Sequence, residues 1–231
     1  MRTFRLDSGG IVYTIIRECI LQNTGLGVRR TKEESEQTRR QIIAAARRVF
    51  ARQGVRRTTL EEVARAAGVT RGAIYWHFAG KTELFYAMRE QVSLPTIDTG
   101  FAATTSDGAD PLGSAERYLR EVIASLEDPA ARETFRIMTF KCEYVDELGR
   151  ELDRQRSRCA DLTGKLAQVY RRARRSGQLR AELAPATAAT ATCSFLIGLV
   201  RLWLMDRAGG PIRSSADTVI RSHIDSYRNG R

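Results

Sequence analysis

Two short helices separated by a glycine are the strongest structural signal in this chain of 231 residues. Thr58 and Thr59 each stand three residues before a glutamate, which is a capping-box spacing, and apolar residues recur at helical intervals until Gly68. Thr70 then offers a cap for a second helix. Two helices joined through a glycine-containing turn predict a helix-turn-helix within residues 58–78.

The rest of the chain shows helical periodicity, with Gly and Pro as punctuation and almost no strand pattern. We therefore predict an all-α protein. Residues 1–27 form an N-terminal extension, residues 28–80 a three-helix domain that contains the helix-turn-helix, and residues 81–231 a larger helical domain. Ser214 or Ser215 is predicted to cap the last helix. Its inward face is predicted to comprise Val219, Ile220 and Ile224.

Positive charge is concentrated near the predicted motif. Residues 28–90 contain 14 Lys and Arg against 7 Asp and Glu, whereas residues 91–231 contain 21 against 18. The whole chain carries a formal net charge of +11. A local surplus of cations attracts polyanions, because contacts to phosphate release condensed counterions. A soluble, arginine-rich surface accounts for the same composition, so charge alone leaves both interpretations open.

The composition also bounds the compartment and the chemistry. Hydrophobic residues make up 42% and charged residues 28%, an ordinary globular balance. The longest uncharged stretch, residues 183–200, contains Pro185 and is predicted to be a buried helix, so no membrane association is expected. Four cysteines without CxxC spacing fit a reducing cytosol better than disulfides or a zinc site. We expect a cytoplasmic protein without metal or cofactor.

The exposed side of the second motif helix carries groups that suit a DNA groove. An arginine fork can bind a guanine edge bidentately, a glycine lets the backbone approach, and a helix N-terminus attracts phosphate. The predicted DNA-binding residues are Arg30, Thr59, Thr70, Arg71, Gly72, Tyr75, Trp76, His77 and Lys81. For three of them an ordinary structural role stays open: Trp76 in the core, His77 on the surface, and Lys81 at a helix start.

The segment AGVTRGAIYWHFAGKTELF, residues 67–85, resembles the DNA-binding signature of the TetR family of bacterial regulators. The preceding VRRTKEESEQTRRQI resembles the opening of the AcrR-like repressors of multidrug efflux pumps. The strings DPLG, KCEYVDEL, GQL and GLVRLWL, at residues 110–113, 141–148, 177–179 and 198–204, resemble the same subgroup. The resemblance covers about residues 28–228.

This resemblance implies a homodimeric repressor of an efflux operon, whose two recognition helices bind half-sites in double-stranded operator DNA. It also implies that residues 28–80 are the DNA-binding domain and residues 81–231 the ligand-binding and dimerisation domain. A small hydrophobic ligand, a drug or an aromatic compound, is then expected to favour a conformer that releases the DNA. Residues on converging apolar faces are candidates for the ligand site, although plain core packing accounts for each of them as well. They are Leu119, Val122, Phe135, Met138, Cys142, Leu162, Leu166, Leu196, Ile197 and Val200.

Dimerisation is expected through the last two helices, residues 185–206 and 215–228. Small side chains in the first of these helices let partner helices approach closely, and larger apolar ones add contact area. These residues are Ala186, Ala189, Thr190, Cys193, Leu196, Val200 and Trp203. Burial of this helix within one subunit is the alternative.

The first 27 residues lack helical periodicity and precede the resemblance. We expect them to be disordered, or to come from an over-extended start whose true initiator is at codon 28. In either case Arg29, Arg30 and Lys32 form a basic arm that can reach the DNA backbone or minor groove.

The sequence disfavours three other functions. An enzyme is disfavoured because the chain shows no nucleophile elbow, metal-ligand cluster or phosphate loop, and its two histidines, His77 and His223, lie far apart. An architectural DNA-binding protein without effector is disfavoured by the large apolar C-terminal part. A thiol sensor using Cys142 or Cys159 is disfavoured because thiols on apolar faces are usually inert.

Overall fold

The computed structural model describes residues 32–92, 110–145 and 148–230. Within these ranges the chain forms α-helices and one isolated antiparallel bridge, between Leu179 and Arg228. The helices are α1 (Lys32–Gln53), α2 (Leu60–Ala67), α3 (Arg71–His77), α4 (Lys81–Glu90), α5 (Pro111–Ser125), α6 (Pro129–Phe140), α7 (Gly149–Arg175), α8 (Pro185–Met205) and α9 (Pro211–Asp225). The predicted all-α class is confirmed.

The compact units of the chain are residues 1–41 and 42–231. In the first, residues 32–41 form the opening turns of α1, where the Thr38 hydroxyl donates to the Glu34 carbonyl at 2.9 Å. All the other helices lie in the second unit.

Proline marks the start of four helices, α5, α6, α8 and α9. Proline suits the first helical position because its missing N–H has no partner there in any case. Asp110 and Asp128 precede two of these prolines, and their carboxylates accept from the backbone N–H of Gly113 and Ala131 at 2.9 and 2.8 Å. The chain therefore encodes these starts locally.

The start of α9 differs from its prediction. Gly210 is the N-cap, and Ser214 and Ser215 lie inside the first turns. The carboxylate of Asp206 accepts the backbone N–H of Ile212 at 2.8 Å. A residue that precedes the helix therefore supplies the cap that was predicted for Ser214 or Ser215.

Two residues predicted to face inward from helices lie elsewhere. Val219 is exposed, because Ile220 and Ile224, one turn apart, define the buried face of α9. Cys142 follows the end of α6 at Phe140 and lies in the connection to α7.

Among the described residues from 42 onward, the buried hydrophobic side chains form two clusters. One joins residues of α1 to α4 with Ile137 of α6. The other joins α5, α7, α8 and α9, with Trp203 and Tyr170 as its largest fully buried members. We call these the N-terminal core and the C-terminal core. The sequence pattern predicts a domain boundary after residue 80. Helix α4, which follows that residue, packs into the N-terminal core.

Among the described residues, Pro185–Met205 is long and apolar enough to cross a membrane by length and composition alone. Core helices of soluble proteins meet the same criterion. Ala188, Leu196 and Leu199 of this helix lie in the C-terminal core, as expected for a packed helix.

Candidate DNA-binding surface and regulatory core

The capping box at Thr59 sets the start of α2. The Thr59 hydroxyl accepts from the backbone N–H of Glu62 at 3.2 Å, and the Glu62 carboxylate accepts from the backbone N–H of Thr59 at 2.8 Å. This backbone hydrogen bond holds the pKa of Glu62 below its ordinary value. Thr58, the other candidate, is buried and donates to the Gly54 carbonyl instead, at 2.7 Å.

The turn between α2 and α3 depends on Gly68, whose φ of 66° is in the left-handed region that favours glycine. Two residues later the Thr70 hydroxyl caps α3 by accepting the backbone N–H of Ala73 at 3.2 Å. Ile74 and Phe78 are fully buried in the N-terminal core. The turn and these two anchors fix which side of α3 faces outward.

Four predicted DNA-binding residues share the outward face of α3. Tyr75 and Trp76 are 49% and 82% exposed, and exposed aromatic residues of this size are typical of a surface that binds another molecule. Trp76 is therefore not a core residue. Arg71 and Gly72 lie one turn earlier and are also exposed. This face presents a cation and two aromatic rings to solvent on a rigid helix.

Arg71 and Tyr75 lie one helical turn apart and contact each other. An Arg71 guanidinium N–H donates to the Tyr75 hydroxyl at 3.3 Å, and the guanidinium lies 5.4 Å from the ring centroid. Tyr75 thus orients the fork of Arg71. A methyl group at Gly72 meets only the Thr70 hydroxyl, at 3.9 Å, so packing within the protein does not require glycine there.

The remaining predicted DNA-binding residues are placed differently. Thr59 is exposed at the N-terminus of α2, with its hydroxyl engaged in the capping box. His77 is partly buried, with its ring 6.2 Å from that of Phe78. Arg30 lies outside the described residues, as does the extension at residues 1–27.

Lys81 holds the segment that precedes α2. Its ammonium donates to the carbonyls of Arg56 and Thr58 at 2.8 and 3.0 Å. The side chain is only partly exposed. The structure therefore gives Lys81 a positioning role for the helix-turn-helix, and its third N–H is the one left for a phosphate.

The candidate ligand-binding residues divide into three groups. Most belong to the C-terminal core or pack against it. These are Leu119, Val122, Phe135, Leu162, Leu166, Leu196 and Val200. Met138 and Cys142 pack instead against the N-terminal core, since they follow the turn of α6 that carries Ile137. Ile197 is 52% exposed and faces away from either core. The structure brings only the first group together.

The C-terminal core also contains a polar cluster that the sequence pattern does not predict. The buried hydroxyls of Tyr170 and Thr192 lie 2.7 Å apart, and Nε2 of His223 lies 3.0 Å from the Thr192 hydroxyl. Burial raises the pKa of Tyr170 and lowers that of His223. These residues come from α7, α8 and α9, so no local pattern signals their contact.

The thiols of Cys142 and Cys159 are poorly suited to a redox sensor. Burial raises the pKa of Cys142 to about 11 and raises the pKa of Cys159 as well. A thiol needs its thiolate form to react with oxidants, and a raised pKa makes that form scarce at neutral pH. The thiol-sensor interpretation is correspondingly weaker.

A helix-turn-helix with an outward cation and aromatic rings, followed by a separate apolar core, defines a DNA-binding transcription regulator. A family model described as "Bacterial regulatory proteins, tetR family" matches residues 42–88, and one described as "MAATS-type transcriptional repressor, C-terminal region" matches residues 110–229. The chain belongs to the TetR family of bacterial transcriptional repressors.

Relatives agree with this assignment. The HTH-type transcriptional regulator TtgR of Pseudomonas putida is 40% identical over 77% of this chain and 85% of that protein. AcrR of Shigella flexneri is 31% identical over 86% of this chain and 93% of that protein. The structure of NalD, described as the secondary repressor of the MexAB-OprM multidrug efflux pump in Pseudomonas aeruginosa, has a TM-score of 0.74 and 31% identity. It covers 87% of this chain and 100% of its own.

A complex of SmeT with triclosan is also similar, with a TM-score of 0.69 and 28% identity over 84% of this chain and 92% of that one. The predicted membership of the TetR family, with relatives among the efflux-pump repressors, is confirmed.

Proposed function

We propose that this protein represses a multidrug efflux operon by binding its operator as a homodimer, and that small hydrophobic compounds release it. The proposal of DNA binding rests on the outward face of α3. The opposite side of this segment is anchored in the N-terminal core by the buried side chains of Ile74 and Phe78. Arg71, Tyr75 and Trp76 on this face are exposed, and the major groove is wide enough to admit a helix. A protein that acts on operator DNA works in the cytoplasm.

The C-terminal core is proposed as the ligand site. The converging residues Leu119, Leu162, Leu166 and Leu196 offer an apolar environment, and Phe135 and Val200 border it. The relative SmeT has been seen with triclosan, a chlorinated aromatic compound. A ligand of this class suits such a core because burial of its apolar surface drives binding.

The dimer interface is proposed on the outer faces of α8 and α9. Ile197, Leu202 and Met205 of α8, together with Val219 of α9, are large apolar side chains exposed to solvent. An exposed apolar patch of this kind marks a contact surface. Several residues first expected there, Ala189, Cys193, Leu196 and Trp203, are buried within the subunit and have no surface to offer a partner.

The test begins with the DNA that flanks the gene. Duplex fragments from this region should be retarded by the purified protein at modest salt, and one fragment should yield a footprint with two-fold symmetry. Adding triclosan, and then a panel of hydrophobic drugs, should weaken binding to that fragment. If no fragment is retarded, the DNA-binding proposal is wrong.

An architectural DNA-binding protein without effector is the second candidate. It predicts retardation without a preferred site and no response to any hydrophobic compound. The separate C-terminal core disfavours it, because a purely architectural protein has no need of that core. An enzyme is disfavoured because the relatives are transcription regulators.

A further inference from the structure

The carboxylate of Glu151 is completely buried, in the first turn of α7. Removing an ionised carboxylate from water is costly unless partners of opposite charge and hydrogen bonds replace the lost hydration. The partners of Glu151 therefore decide what this residue does, and they lie on two helices.

Arg89, in the last turn of α4, is the partner from the N-terminal core. One of its guanidinium nitrogens lies 3.0 Å from Oε1 and 3.1 Å from Oε2 of Glu151, and its side chain is only 19% exposed. On α7 itself, Arg158 donates to Oε1 at 2.7 Å, and Arg154 lies 3.9 Å from Oε2. The carboxylate thus joins α7 to α4, through two residues that lie 62 positions apart in the sequence.

From this ion pair, α4 leads back to the helix-turn-helix and α7 leads on into the C-terminal core. At its other end α4 carries Lys81, which holds the carbonyls of Arg56 and Thr58 just before α2. About three turns beyond Glu151, α7 enters the C-terminal core with Leu162 and Leu166. Glu151, Arg89, α4 and Lys81 therefore form a continuous chain of contacts from α7 to the segment that precedes α2.

Other contacts along this path are weaker links. Arg56 pairs with Glu143 at 2.9 Å, but the side chains are 74% and 59% exposed. Exposed ion pairs contribute little, because water screens them and ordering long side chains costs entropy. A buried pair differs, since losing one partner leaves an uncompensated charge in the interior. The buried carboxylate is therefore the contact to which the relative position of α4 and α7 is most sensitive.

We propose that Glu151 is a positioning residue that couples occupancy of the C-terminal core to the position of the helix-turn-helix, through Arg89 and α4. This inference rests on the proposed function, because coupling matters only if operator and ligand favour different conformers. Coupling is reciprocal: if the ligand acts on operator binding through Glu151, then operator binding acts on the C-terminal core through the same residue. The inference can therefore be tested without knowing the natural ligand.

The test compares hydrogen exchange with and without a footprinted operator duplex in the full-length protein. In the wild type, operator should slow amide exchange in C-terminal core peptides, residues 162–175 and 188–199, on the order of fivefold, the low end of ordinary allosteric coupling. In Glu151→Gln this protection should fall to less than about twofold, although the protein still binds the duplex.

The matched control is Asp153→Asn. It removes a carboxylate two residues away on the same helix, one that is exposed to solvent and pairs with Arg156 at 3.0 Å. This variant should keep the wild-type protection. A purely structural role for Glu151 predicts that exchange in Glu151→Gln is faster by the same factor with and without operator, so the ratio between the two states would stay at the wild-type value.

Arg89→Lys covers the case in which Glu151→Gln fails to fold. It keeps the positive charge but places an ammonium, on a shorter and differently shaped side chain, where a single guanidinium nitrogen contacts both carboxylate oxygens, so the protection should be partly lost. Wild-type protection in a folded Glu151→Gln, or in Arg89→Lys where Glu151→Gln is unfolded, overturns the coupling inference. Failure of the wild type to bind any duplex instead overturns the proposed function, so the two failures are distinguishable.

Discussion

The imidazole of His223 lies flat on the ring of Phe195, with centroids 4.0 Å apart and planes inclined by 3°. On its edge, Nε2 is 3.0 Å from the hydroxyl of Thr192. Burial lowers the pKa of His223, which means that the folded protein favours the neutral ring. This stacked histidine joins α8 to α9, the two helices proposed to form the dimer interface.

Acidification should destabilise the protein through His223. Because the folded pKa lies below the unfolded value of about 6.5, the unfolded chain takes up the proton first as the pH falls. The stabilisation is therefore present above about pH 6.5 and is lost as the pH falls toward the folded pKa. Urea unfolding of the wild type between pH 8 and pH 5.5 measures this loss.

The control for this prediction is His223→Gln, which removes the titrating ring and leaves His77, the other histidine of the chain. Its unfolding free energy should fall less steeply between pH 7 and pH 5.5 than that of the wild type. Parallel curves for the two proteins would show that His223 does not carry the pH dependence.

Arg71→Ala should weaken operator binding at a single base pair. A bidentate arginine contact to guanine contributes about 1–3 kcal/mol of discrimination, so the variant should lose this amount and accept other bases at that position. Tyr75→Phe removes the hydroxyl that accepts from Arg71 and should cost less, about 1 kcal/mol. Binding titrations on operators mutated one position at a time measure both effects.

Arg171→Ala is the matched control, because Arg171 is an exposed arginine near the end of α7, away from the helix-turn-helix. It should leave the base preferences unchanged. If Arg71→Ala weakens binding equally on every sequence, Arg71 contacts phosphate and does not recognise a base.

The helix ends of this protein could be predicted because their signals are local. The capping threonines Thr59 and Thr70, Gly68 and the prolines that start helices lie beside the backbone groups they affect, so spacing alone was sufficient. The start of α9 was missed because its capping carboxylate, Asp206, precedes the helix across a glycine-rich turn.

The orientation of α8 could not be predicted in the same way. Leu196 is buried and its neighbour Ile197 is exposed, yet the helix is apolar all round and periodicity does not distinguish its faces. Glu151 and His223 were missed for another reason. A charged or polar residue is expected on the surface, and the partners that make its burial tolerable, Arg89 and Thr192, lie 62 and 31 residues away.

Lys81→Ala should destabilise the protein. Its ammonium donates two hydrogen bonds to the carbonyls of Arg56 and Thr58, and hydrogen bonds to a charged group contribute about 1.5–3 kcal/mol. Urea unfolding should therefore show a loss of this size. If Lys81 also contacts phosphate, the salt slope of operator binding decreases by about one unit in the same variant.

Arg156→Ala provides the control, because Arg156 pairs with Asp153 one turn away on α7, both side chains are exposed, and such pairs contribute only about 0.3–0.5 kcal/mol. An unfolding free energy of Lys81→Ala equal to that of the wild type would contradict the positioning role. An unchanged salt slope would remove Lys81 from the set of phosphate contacts.

Leu202→Glu should separate the proposed homodimer into monomers. Leu202 is 50% exposed on α8, between Ile197 and Met205, and a glutamate there buries an unpaired charge when two subunits meet.

The matched control is Val145→Glu, at a residue that is 51% exposed and outside α8 and α9. Sedimentation velocity should give a monomer for Leu202→Glu and a dimer for Val145→Glu. Operator affinity should fall only in the first variant, since a monomer binds one half-site and loses the second contact. A dimeric Leu202→Glu would place the interface elsewhere on the molecule.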